Sequence, residues 1–184
     1  MIKPFKVTAH MVSSLDGIIA KKDNSVSWFD TPDKYEKGIA AQDTVEFLKA
    51  IDCYVMGART YEHAIELSKS YGWAYGDTPT IVVSHKNIKP EKKNIEAYSG
   101  DLHKLVEEKL KPNYKNVWLA GGAELIQEFI RLKLADEIRL TVIPIILGDG
   151  IYFLKGLEQE EPLHLLDVVA YKNGMVELRY EIKK

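Results

Sequence analysis

A chain of 184 residues with 46% apolar and 28% charged residues is long enough to bury one α/β core and short for two, so a single domain over residues 1–184 is expected. A net charge of −2 and a pI near 6.2 supply no basic field for nucleic acid or an anionic membrane, which leaves a small molecule as the expected partner. No apolar run is long enough to span a bilayer, and the N-terminus alternates polar with apolar residues where a signal peptide would be continuously apolar, so the cytoplasm is the expected compartment.

Residues 5–12 alternate as a first strand does, and Ser13-Ser14-Leu15-Asp16-Gly17 breaks the pattern before Ile18-Ile19-Ala20. Loops at strand ends line the ligand crevice of open α/β sheets, so Ser14 and Asp16 are candidate hydrogen-bonding groups for a substrate; Asp16-Gly17 also fits a plain turn. Residues 21–38 are polar and irregular. Over 42–51, Val45, Leu48 and Ile51 recur at helical spacing, with Asp43 and Glu46 early in the helix, where acids ordinarily serve the macrodipole.

The one cysteine, Cys53, has no partner for an internal disulfide and heads the apolar run Tyr54-Val55-Met56, the pattern of a buried small hydrophobe. That strand ends at Gly57. Thr60 reads as the cap of a helix starting at Tyr61, and Arg59 sits at the mouth of the turn, where a guanidinium can grip a phosphate through two parallel bonds or simply face water. The aromatic stretch Tyr71-Gly72-Trp73-Ala74-Tyr75-Gly76 can wall a planar ligand or cover the sheet. A compact strand, Thr80-Ile81-Val82-Val83, finishes in Ser84-His85-Lys86, whose hydroxyl, imidazole and ammonium suit either a phosphate or a solvated turn. Residues 95–98 form a weak strand, and Leu102, Leu105, Val106 and Leu110 a further helical stripe.

The most informative stretch is Val117 to Ile130, VWLAGGAELIQEFI. An apolar run meets Gly121-Gly122, and Leu125, Ile126, Phe129 and Ile130 then recur at helical spacing, which predicts strand, tight turn and helix. Two residues without Cβ admit a ligand close to the backbone, where the N–H groups and positive dipole end of the helix face it; a turn made only for close strand–helix packing looks the same. The chain carries neither GxxxxGK[ST] nor GxGxxG, so it is neither an ATPase P-loop nor a standard dinucleotide fingerprint. Residues 137–143 form a strand, 144–150 a glycine-punctuated connection, and 164–171 with 175–182 an antiparallel hairpin around Lys172-Asn173-Gly174. The five histidines lie far apart, with no HExxH or CxxC, so no metal site is expected.

Five pieces in order, Ala9 with SLDGIIA, CYVMGARTYE, TIVVS, VWLAGGAELI and DEIRLTVIPIILGDG, resemble the dihydrofolate reductase-like superfamily, and most closely its branch containing the C-terminal reductase domain of bacterial riboflavin biosynthesis. The resemblance implies a three-layer α/β/α fold, a twisted and mostly parallel sheet ending in an antiparallel hairpin, and NADPH as cofactor. On its motifs, Gly57, Arg59 and Thr60 match the turn that contacts the cofactor phosphates, Ser84 the strand end near the adenosine 2′-phosphate, and Gly121, Gly122, Ala123 and Glu124 the pyrophosphate turn. Ala9, Ile19 and Ala20 match positions lining the nicotinamide site, and Asp43 falls where folate reductases carry the acid that binds the pterin, which makes it the expected catalytic residue for anchoring substrate or supplying a proton. The function implied is an NADPH-dependent reductase resembling 5-amino-6-(5-phosphoribosylamino)uracil reductase, acting on a small heterocyclic or carbonyl substrate as a homodimer joined through the C-terminal strands. A folate or pterin reductase and a nucleotide-binding module without catalysis are the alternatives.

Overall fold

In a computed structural model that describes residues 5–30, 33–40 and 48–184, the alternating and apolar runs become strands of one eight-stranded sheet. The strands are β1 (Lys6–Ser14), β3 (Cys53–Gly57), β4 (Thr80–Val83), β5 (Ile95–Tyr98), β6 (Asn116–Gly121), β7 (Glu137–Ile143), β9 (Leu163–Ala170) and β10 (Val176–Ile182), while β2 (Ile18–Ala20) and β8 (Ile151–Tyr152) form a separate ribbon. The order is β5-β4-β3-β6-β1-β7-β10-β9, parallel from β5 to β7 and antiparallel across the last two pairings. The expected architecture of parallel βα units with a hairpin at one edge is therefore the one observed. The hairpin turn is longer than a two-residue Asn-Gly loop: Tyr171 donates to the Met175 carbonyl at 2.9 Å, and Gly174 donates back to the Tyr171 carbonyl at 3.0 Å.

Helices cover both faces, because successive side chains of a buried parallel strand point alternately to opposite layers. One layer is α1 (Ala58–Tyr71), whose Tyr61 and Ile65 pack on Tyr54, Met56 and Val82. The other is α2 (102–113) and α3 (Ala123–Arg131). Helix α2 is π-helical over Leu105–Leu110, a winding that turns Leu105, Val106 and Leu110 all into the core, and Phe129, Ile126 and Ile130 of α3 are fully buried beside them against Val7, Val55, Val117 and Leu119. Cys53 is buried in this core, and burial pushes its thiol up to about 12, in keeping with an inert apolar role. No helix among the described residues is long and apolar enough to cross a membrane. Of the helix expected over 42–51, residues 42–47 lie outside the described residues; Leu48 and Ile51 belong to the core beside α1.

Helix α1 begins at Ala58, with Gly57 as its N-cap, earlier than the start at Tyr61 expected from sequence. Thr60 is consequently inside the first turn and caps nothing. Charged pairs hold the register of β1, β7 and β10: Lys6 Nζ lies 2.8 Å and Arg179 Nε 3.1 Å from the buried Glu137, and Arg139 pairs with Glu177 at 2.8 Å. Burial raises the Glu137 carboxyl, but Lys6 and Arg179 outweigh it and hold the group below its ordinary range.

A strap formed by residues 33–40 crosses to the hairpin. Tyr35 donates to the Lys172 carbonyl at 2.7 Å, Ile39 to Ala170 at 2.9 Å, and Lys172 returns a bond to Ile39 at 2.8 Å. A side chain at Gly38 would lie 2.4 Å from the Tyr171 backbone, so only glycine lets the two backbones meet.

Candidate functional site

An open cleft of about 1380 Å³ runs along the C-terminal ends of β3, β4 and β6, the edge of a parallel sheet where ligands are received. Its floor is the set of strand-to-helix turns, and one wall is the β2–β8 ribbon. Because β3 pairs directly with β6, the Gly57 and Gly121-Gly122 turns lie side by side; a register shift between Val55 and Met56 brings Met56 opposite Gly121.

Two side-chain contacts join these turns. The Gly122 N–H donates to Thr60 Oγ1 at 2.7 Å, and the displaced helix start explains it, since Thr60 in the first turn of α1 faces its neighbour across the cleft instead of its own helix end. Gly121 has φ +137°, and a Cβ there would sit 3.2 Å from Thr60 Oγ1 and Cγ2, so both the conformation and the contact call for glycine. Beside this bond, Arg59 Nη2 forms an ion pair with Glu124 Oε1 at 2.6 Å. At the end of β4, Ser84 Oγ accepts the Lys86 N–H at 2.9 Å, which leaves the hydroxyl proton to donate to a ligand.

Gly57 differs from Gly121. Its φ of −77° and ψ of 162° suit any residue, and a Cβ there would meet nothing within 4 Å. The fold does not require glycine at this position; the space a side chain would fill belongs to the cleft. A backbone left open in this way can admit a close-lying ligand beside the start of α1.

Of the residues singled out in sequence, Ile19, Ala20, Gly57, Arg59, Thr60, Ser84, Gly122, Ala123 and Glu124 line the cleft together, with Gly121 buried at the end of β6. Three further residues stand outside the lining. Ala9 is fully buried among the core residues under α2 and α3 and lines no part of the cleft, because odd positions of β1 face that layer. Ser14 and Asp16 also stand outside the lining. Ser14 is 1% exposed, donates to Asp16 Oδ1 at 2.5 Å and accepts the Ile18 N–H at 3.0 Å, while Asp16 accepts the N–H groups of Leu147 at 3.1 Å and Gly148 at 2.7 Å. These bonds fasten the loop after β1 to the 144–150 connection and so support the ribbon wall. The Ser14 hydroxyl, aided by the Leu147 and Gly148 N–H groups, holds the Asp16 carboxyl down at about 2, so it is ionised and fully engaged. Asp43 lies outside the described residues.

The aromatic loop takes the packing role. Tyr75 lies 4.8 Å from Tyr54 and Trp73 6.2 Å from Tyr61, ring to ring, so the loop covers the α1 face of the sheet and does not enter the cleft. Trp118 stacks on His10 at 4.6 Å, also on that face, and burial, then the Arg139 charge, push the His10 imidazole down to about 3, leaving it neutral at physiological pH. Sequence reasoning missed Asn24, His63, His103, Tyr152 and Lys155 as cleft residues. His63 follows the CYVMGARTYE stretch on α1; the β2–β8 pairing and the approach of α2 bring in the others, although Gly100-Asp101 before the α2 stripe was a readable helix-start signal, with Asp101 accepting the Lys104 N–H at 3.0 Å. Among the described residues no three His, Cys, Asp or Glu side chains gather to hold a metal ion.

Comparison with known proteins agrees with this geometry. The chain is 30% identical over 175 residues to YwjB of Bacillus subtilis (strain 168), an uncharacterized protein, covering 95% of this chain and 97% of that one. The fold matches a riboflavin-biosynthesis candidate from Shewanella sp. PV-4 with a TM-score of 0.83 and 22% identity over 98% of this chain and 100% of that one. It also matches the diaminohydroxyphosphoribosylaminopyrimidine deaminase/5-amino-6-(5-phosphoribosylamino)uracil reductase of Thermotoga maritima, with a TM-score of 0.69 and 16% identity over 98% of this chain and 57% of that one. Dihydrofolate reductase from Enterococcus faecalis, solved with NADP(H), shares the fold with a TM-score of 0.61 and 16% identity over 97% of each chain. The RibD C-terminal domain family matches residues 5–176, and the chain belongs to that family.

Proposed function

We propose that the protein is an NADPH-dependent reductase that delivers a hydride to a small heterocyclic or carbonyl substrate of the ribosylaminopyrimidine kind. The observation that carries this reading is the pair of adjacent strand–glycine–helix turns at β3 and β6, tied by Thr60 and opening on one cleft with Gly57 left bare. Bound NADPH supplies the hydride, and the chain supplies orientation and electrostatics. The N–H groups at the start of α3, the Thr60 hydroxyl and Arg59 would hold the pyrophosphate, and Ser84 with His85 and Lys86 the 2′-phosphate. Ile19, Ala20 and the ribbon would bound the nicotinamide end. Family membership and the NADP(H)-bound relative of the same fold support the assignment.

The test is titration of the purified protein with NADPH and NADH, followed by tryptophan fluorescence or calorimetry, and then NADPH oxidation with aminopyrimidine, pterin and dihydrofolate substrates. Saturable binding with NADPH preferred is expected, and Ser84→Ala should erode the preference by about tenfold, the worth of one hydrogen bond to a charged group. Failure of both cofactors to bind at millimolar concentration would overturn the reading. The same reading includes pairing of two copies through β9, an edge strand that exposes Leu163, Leu165, Leu166 and Val168. Light scattering should return twice the 20.9 kDa chain mass, and a monomeric mass at micromolar concentration would dismiss the dimer.

A further inference from the structure

Resting on the reading of the cleft as a site for a phosphate-bearing ligand, we propose that Glu124 is an affinity-setting residue of that site, an internal anion that occupies the Arg59 guanidinium until a ligand phosphate takes its place. The ion pair at 2.6 Å spans two turns that come from different strands, and both side chains line the cleft. The Thr60 bond to the Gly122 N–H ties those turns together, so the two side chains arise from neighbouring, fixed backbone. Neither side chain is held by packing, at 76% and 83% exposure, and the exchange of one anion for another therefore disturbs nothing else.

A carboxylate presents to a guanidinium the same oxygen-acceptor chemistry as a phosphate, and Glu124 stands in the first turn of α3, beside the N–H groups that would receive the ligand. A phosphorylated ligand can take over both the Arg59 contact and the helix end. Once displaced, the Glu124 carboxylate faces a like charge and moves to solvent, which its exposure permits. Glu124 thus lowers affinity for anionic ligands, and it acts only through Arg59.

The experiment is NADPH titration of the wild-type protein, Glu124→Gln, Arg59→Ala and the double variant. Glu124→Gln is expected to bind roughly three- to fivefold tighter than wild type, the strength of an exposed ion pair expressed as an affinity ratio. Arg59→Ala should bind more weakly, and the double variant should match Arg59→Ala. Unchanged or weaker binding by Glu124→Gln, with wild-type binding intact, would sink the inference and leave the cofactor site standing. So would a tightening that persists without Arg59, because Glu124 would then act as a distant charge and not as the occupant of that guanidinium. No binding by any of the four proteins would remove the reading of the cleft and this inference with it.

Discussion

Gly57→Ser is expected to leave the protein at least as stable as wild type while weakening NADPH binding by about tenfold or more, equivalent to about 1.4 kcal/mol. The two effects oppose one another because the position does two unrelated things. As the N-cap of α1, with φ −77° and ψ 162°, it already has the extended conformation that capping serines adopt, and a hydroxyl there can accept an N–H of the first turn that Gly57 leaves unserved. Serine outranks glycine as a cap by a few tenths of a kcal/mol. The added side chain meets no protein atom within 4 Å, so it costs the fold no clash. It projects into the cleft, into the space that the proposed NADPH would occupy. Thermal melting and NADPH titration of the same variant check both halves. A lowered melting temperature would show that the glycine serves the fold after all, and unchanged affinity would show that no ligand approaches β3 there.

Gly38→Ala is expected to destabilise the protein by about 2–3 kcal/mol with no change in any residue of the cleft. The new methyl would lie 2.4, 2.5 and 2.6 Å from the Tyr171 carbonyl carbon, its oxygen and the Lys172 nitrogen. All three are backbone atoms, so no side-chain rotation relieves the overlap. Either the strap lifts away and gives up its bonds from Tyr35 and Ile39, or the β9–β10 turn bends. Denaturant unfolding measures the loss, and a variant within about 0.5 kcal/mol of wild type would mean that the strap does not hold the hairpin in solution.

The two predictions mark what was legible in the chain and what was not. Periodicity was enough for the strands at Cys53, Thr80, Asn116 and Glu137 and for the stripes of α2 and α3, because a strand buried on both faces is continuously apolar and a helix covering one face is apolar every third or fourth residue. The Asn-Gly signal placed the hairpin, and the two glycine junctions placed the strand-to-helix turns at β3 and β6. Local pattern therefore decided which elements exist and where these turns fall.

Pairing partners were beyond its reach. Thr60 read as a cap because a hydroxyl just before a helical stripe ordinarily is one; only the adjacency of β3 and β6 shows that it serves Gly122, sixty-two positions away in sequence. Ser14 and Asp16 read as ligand groups because polar loops at strand ends usually are, and only the fold of the 144–150 connection over them shows their oxygens already taken. Ala9 was matched to the nicotinamide site by resemblance alone, and the side of the sheet on which its side chain falls is a matter of register. The amino-acid sequence by itself determined the elements, the layers and the two strand–glycine–helix turns, since these follow from local spacing and backbone freedom. Which polar atoms are consumed inside the protein, which are left for a ligand and how Arg59 and Glu124 face one another were decided only by tertiary structure, since a hydrogen bond or ion pair between distant residues leaves no periodic trace in either of them.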